Sequence, residues 1–142
     1  METTTAAEAA GLSVELRYLL YLSLWLLVLW IPYVLANISR IGIARALSYP
    51  PDPRDMPEWA HRLRRAHYNL VENIVPFAVA VGAGEILGIH TKTTATCALV
   101  FLIARLVHPF AQISGVWGLR TVVFAVGWVA VIVQLLAVMG WV

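Results

Sequence analysis

Charge is scarce in this chain. Charged residues make up 13% of 142 positions, against 61% hydrophobic ones, and the mean hydropathy is +0.78. A soluble domain of this size needs more charge to cover its surface, so the composition places the chain in the membrane class. Cysteine is nearly absent as well. The lone Cys97 rules out an intramolecular disulfide framework and a cysteine-cluster zinc site. Its surroundings, TATCALVFLIA, suit a packed thiol better than a nucleophile. Also missing are a His/Cys/Asp/Glu cluster at metal spacing, a glycine-rich phosphate loop before a helix, and a Ser–His–acid set. The start, METTTAAEAAGLSVE, lacks the basic residues of a signal peptide. The apolar run from Leu16 to Ile38 is too long for a signal core, so it reads as a retained span.

What the chain has in abundance is long apolar runs. A helix needs about 20 apolar residues to cross the hydrocarbon core. Four segments qualify, at roughly 15–39, 66–89, 93–113 and 119–142. No internal repeat is evident, so residues 1–142 form one domain. Open sheets cannot be satisfied in lipid, which makes the expected fold an all-α integral membrane bundle of four helices. Pro32 is expected to bend the first span by freeing a carbonyl one turn back.

The connector 40–65 carries six arginines (Arg40, Arg45, Arg54, Arg62, Arg64 and Arg65) against Asp52, Asp55 and Glu58. The opposite side has Lys92 in a short 90–92 turn and an acidic N-terminus. Positive charge therefore predicts a cytoplasmic 40–65 loop and 114–118 turn, with both termini on the other side. The pI near 9.0 thus reflects orientation, not nucleic-acid binding. The PPDPRDMP run is expected to be a non-helical surface loop, since proline restricts both itself and the residue before it.

Ionisable residues inside spans are costly and face a bundle interior or a wet cavity. On the second span Arg65, Asn69, Glu72, Asn73 and Pro76 fall at offsets 0, 4, 7, 8 and 11, a single helical stripe. On the third, Arg105, His108 and Gln112 fall at 0, 3 and 7, again one stripe. The fourth opens with Arg120 and Thr121, where the positive end of the helix dipole favours an anion. All three groups lie toward the arginine-rich end and describe a cationic cavity with one carboxylate. Pro76 and Pro109 each follow a stripe residue by four, leaving the carbonyls of Glu72 and Arg105 in need of other donors. A structural reading stands beside this one. Glu72 and Arg105 can pair across helices, Asn69 and Asn73 can join helices by hydrogen bonds, and His108 can be a packing residue. Glu85 reads as interfacial and solvated, GAG at 82–84 as helix packing, and most tryptophans as interface anchors.

RAHYNLVENIVPF at 65–77 resembles the RAH-x-N-x-x-E-x-x-P-F signature of the MAPEG family, membrane-associated proteins in eicosanoid and glutathione metabolism. ARLVHPFAQISGVWGLRTVVF is similar to the helix three to helix four region of the same family, in its prostaglandin E synthase-like and bacterial branch. The resemblance implies a homotrimeric four-helix bundle with glutathione bound between subunits near the cytoplasmic side. Carried over by position, the glutathione contacts are Arg40, Arg65, Asn69, Glu72 and His108, with Arg105 lining the inner cavity. Arg45 rivals Arg40, and His67 matches the motif without a ligand role. Arg120 and Thr121 are the implied catalytic pair, holding the thiolate. Glutathione has two carboxylates and one ammonium, so several arginines and one carboxylate complement it.

The resemblance further implies a glutathione transferase or peroxidase acting on lipophilic electrophiles or lipid hydroperoxides that arrive from the membrane. The sequence departs from the prostaglandin synthase pattern at Tyr68, which would be arginine, and at Gln112 and Phe124, which would be tyrosines. Those departures keep a non-catalytic lipid-binding or scaffold role open. With the short chain, they point to a bacterial inner membrane in preference to endoplasmic reticulum. A proton-coupled transporter using Glu72 and His108 is a third class, opposed by polar residues clustered at one end and by the lack of an inverted repeat.

Overall fold

The computed structural model describes residues 11–47 and 56–142. Among these residues six helices run in order: α1 Val14–Leu29, α2 Ile31–Ile41, α3 Ile43–Ala46, α4 Glu58–Leu87, α5 Lys92–Ser114 and α6 Leu119–Val138. Together α1 and α2 make the first membrane-crossing unit, Val14–Ile41, and α4, α5 and α6 are each long and apolar enough to cross alone. The protein is an all-helical integral membrane bundle. The first unit is interrupted at Trp30, two residues before Pro32, in keeping with the bend expected of an imino acid that lacks a donor. Most of the PPDPRDMP run, residues 50–55, and the acidic N-terminal segment lie outside the described residues.

One boundary differs from the sequence expectation. Residues 58–65, assigned above to the connector, are the first two turns of α4, which runs for 30 residues. At 1.5 Å per residue that is about 45 Å, longer than the roughly 30 Å hydrocarbon core. Its arginine-bearing start therefore projects beyond the apolar layer. Ala60, Leu63, Ala66 and Leu70 are all buried, so the helical period runs unbroken from the polar part into the apolar one. Arg62 pairs with Glu58 one turn back and reaches the carbonyl of Ile113 at 3.2 Å, tying α4 to the end of α5.

At the centre of the bundle, α5 packs against α1, α4 and α6. Phe77 and Phe101 meet with ring centroids 4.4 Å apart, and Leu22 closes the layer from α1. Small residues Ala98, Ala104, Ala111, Gly127 and Ala130 let α4, α5 and α6 approach closely, as helices do where lipid supplies no hydrophobic drive between them. Thr91 and Thr94 form a capping box that starts α5, and left-handed glycines end α4 at Gly88 and α5 at Gly115. On α2, Tyr33 hydrogen-bonds His67 Nδ1 on α4 at 2.8 Å, giving the motif histidine a positioning task. Most of the six tryptophans sit at the surface as expected. Trp25 is the exception, packed against the core.

Candidate functional site

The third-span stripe faces inward over its whole length, with Arg105, His108 and Gln112 all buried on α5. Arg105 is only 1% exposed. Its Nη1 donates to Asn69 Oδ1 at 2.9 Å and its Nη2 to Asn73 Oδ1 at 3.4 Å. Asn73 also bonds back to the Asn69 carbonyl at 2.8 Å, which fixes its amide for the arginine. The guanidinium lies between the rings of Phe101 and Phe124, 5.0 and 5.2 Å from their centroids, a cation–π arrangement. Gly127 makes room for it: a Cβ there would sit 3.0 Å from Arg105 Nη2 and 3.2 Å from the Ala104 Cβ. Among the described residues no carboxylate pairs with Arg105, so the Glu72–Arg105 pair considered above is not formed. Neutral amides and aromatic faces solvate the charge instead.

Above this arginine lies a cavity of about 280 Å³. Its lining comes from three helices: Arg65 and Asn69 on α4, His108 and Gln112 on α5, and Arg120, Thr121 and Phe124 on α6. It adjoins a wider groove of about 720 Å³ that shares Arg65, Gln112, Arg120 and Thr121 and extends to Trp117 and Val122. Arg120 and Thr121 occupy the first turn of α6, which begins at Leu119 after the left-handed Gly118. The positive end of that helix dipole adds to the two guanidiniums. The cavity is thus an anion-attracting pocket at the arginine-rich end, roofed on one side by an aromatic ring.

Of the eight residues singled out from sequence, Arg65, Asn69, His108, Arg120 and Thr121 line this cavity, and Arg105 lies beneath it, bonded to Asn69. Glu72 is exposed on α4, outside the cavity. Arg40, in the last turn of α2, is also exposed and outside it, as is its rival Arg45 on α3. Gln112 and Phe124, where the family pattern has tyrosines, are wall residues.

The donor set fits most of a glutathione molecule. Two arginines, an amide and a hydroxyl match its carboxylates and thiol. A partner for its ammonium is not in the cavity, because Glu72 points outward. Pockets for small ligands typically enclose about 300–1,000 Å³, and the cavity with its adjoining groove falls in that range.

No curated protein and no solved structure matches the chain. The family model described as the MAPEG family matches residues 19–140, nearly the whole chain, and the protein belongs to that family.

Proposed function

We propose that the protein is a membrane-bound, glutathione-dependent transferase or peroxidase that acts, as a homotrimer, on lipophilic electrophiles or lipid hydroperoxides. The observation that carries this reading is the convergence of Arg65 and Arg120 on one cavity, from different helices, at the edge of the apolar layer. Glutathione bound there would supply a thiol nucleophile, which the chain itself does not offer, since Cys97 is buried in α5. Arg65 and Asn69 bind a carboxylate. Arg120, at the start of α6, favours the ionised sulfur by charge and helix dipole, and Thr121 donates its hydroxyl to the same atom. Arg105 holds Asn69 in place. Phe124 presents an apolar wall to the acceptor.

The trimer enters through Glu72. A charged side chain facing hydrocarbon costs about 2.5–3.5 kcal/mol at the centre of a span, yet Glu72 is exposed on α4. A neighbouring protomer would cover it and bring it to the ammonium that the single-chain cavity leaves without a partner. Arg40, exposed at the end of α2, would join from the same neighbour.

The test is turnover of an aryl halide and of a lipid hydroperoxide by purified protein with glutathione. Arg120→Ala is expected to lower kcat/KM by about 10²-fold or more, the effect of removing one preorganised charge donor. Co-assembly of Arg120→Ala with Glu72→Gln protomers is expected to restore part of the activity, because some shared sites then contain neither substitution. Equal rates for wild type and Arg120→Ala would remove Arg120 from the chemistry. The replacement of two pattern tyrosines by Gln112 and Phe124 favours a second reading, a non-catalytic lipid-binding member. Absence of turnover, together with no thermal shift at millimolar glutathione, would favour it over the first.

A further inference from the structure

The end of the bundle away from the arginines carries a second polar constellation, independent of the proposed glutathione chemistry. Glu15, in the first turn of α1, is 5% exposed although it bears a carboxylate. Thr94 Oγ1 donates to its Oε1 at 2.5 Å. His90, in the turn before α5, stands between two acids, with Nδ1 3.7 Å from Glu15 Oε2 and Nε2 3.9 Å from Glu85 Oε2. Glu85 in turn accepts from the Ser13 hydroxyl. It is therefore engaged at the helix ends, not simply solvated as its sequence position suggested.

Behind this group lies a small, partly open cavity of about 10 Å³, lined by Glu15, His90, Thr94 and Gln134 among others. Gln134, on α6, is 1% exposed. Its Oε1 has no hydrogen-bond donor among the described residues. A vestibule of about 440 Å³, lined by Glu15, Glu85, His90 and Lys92, lies on the outer side and shares Glu15 and His90 with the inner cavity.

The chemistry of the inner cavity narrows its occupant. The buried Glu15 and Gln134 both line it, and the Gln134 Oε1 has no donor among the described residues, so an occupant that brings positive charge or donors suits it. The volume accepts one particle the size of a water molecule. Among the described residues no three His, Cys, Asp or Glu side chains converge as metal ligands, which excludes a zinc-type site. Carboxylate, amide and hydroxyl oxygens are hard ligands that suit hard cations. The nearest protein cations do not settle the charge from within. Lys92 lines only the vestibule, and His90 is positive only when protonated. We propose that this cavity binds a monovalent cation, sodium or potassium, held by Glu15 and Gln134 and joining α1, α5 and α6 at the end opposite the arginines.

The experiment is thermal unfolding of the purified full-length protein at pH 8 in sodium, potassium or N-methylglucamine chloride at equal ionic strength. A saturable rise in Tm of several degrees is expected with sodium or potassium over N-methylglucamine, as for any ligand bound only by the native state. Gln134→Met, which keeps the side-chain volume, and Glu15→Gln are each expected to abolish that difference. Identical Tm values for the wild type in all three salts would overturn the site and leave a water molecule as the partner of Gln134. A difference that persists in both variants would overturn the assignment of these residues. The wild-type comparison decides even if a variant fails to fold. Loss of glutathione turnover has no bearing on it.

Discussion

Arg105 and Arg120 lie fifteen positions apart and do opposite things. Arg105 is buried, bonded to two amides and stacked between two rings, so its removal strips donors from Asn69 and Asn73 and opens a void. Arg105→Ala is expected to cost about 3 kcal/mol of stability, seen as a lower Tm in detergent without glutathione. Arg120 is exposed, and Arg120→Ala should leave that Tm nearly unchanged, within the roughly 0.5 kcal/mol of ordinary surface substitutions, while activity falls. If the two variants show equal thermal losses, the division between a supporting and a reacting arginine is wrong. The sequence put Arg105 on a polar helix stripe, by period, and Arg120 at the start of the fourth span, by position. What it could not show is depth. At about 100° per residue, Asn69 and Asn73 sit about 40° and 80° from Arg65 toward the buried face. Glu72 sits about 20° the other way. One stripe therefore straddles an edge, and its members part company at the boundary between core and surroundings.

At the scale of elements, the turn between α5 and α6 sets where Arg120 stands. Gly115 has φ +69°, in the left-handed region, and a Cβ there would lie 2.1 Å from Arg62 Nη1. Gly115→Ala therefore meets two penalties: about 1–2 kcal/mol for the left-handed backbone, and displacement of Arg62 from the Ile113 carbonyl. Arg62→Ala in the same chain should relieve the second but not the first. A double-mutant cycle is expected to show a favourable coupling of about 1 kcal/mol between the two substitutions. Strict additivity would mean that Arg62 yields freely and does not clamp the turn. Neither half of this contact was legible beforehand. Arg62 fell within a stretch assigned to a loop, because a hydropathy threshold sees only the apolar part of a helix that extends past the membrane. The amphipathic signal was nonetheless present in Ala60, Leu63, Ala66 and Leu70, all buried. The Glu15–Thr94 bond and the cavity that Glu15 and Gln134 both line were hidden for another reason: these residues come from helix ends remote in sequence, and no periodicity links them.

At the scale of the whole molecule, the four crossing units were plain from the continuous apolar runs of about 20 residues, which suit helices that satisfy their backbone within the segment. Their direction across the membrane rests on charge. Arg40, Arg45, Arg62, Arg64, Arg65 and Arg120 all gather at the end where α2 finishes and α4 and α6 begin. The opposite end has Arg17 and Lys92 beside Glu15 and Glu85. Basic residues flanking short loops stay in the cytoplasm, so the arginine-rich end, and the candidate glutathione cavity with it, should face inward. The lone cysteine makes this direct to measure. In a Cys97→Ser background, Trp117→Cys reports the α5–α6 turn, where Trp117 is 97% exposed, and Trp141→Cys reports the far end, where Trp141 is 70% exposed. A membrane-impermeant maleimide added to intact cells is expected to label the Trp141→Cys protein and to reach the Trp117→Cys protein only after the membrane is opened. The reverse pattern would put the arginines outside, away from cytosolic glutathione, and the cavity would then need a different ligand.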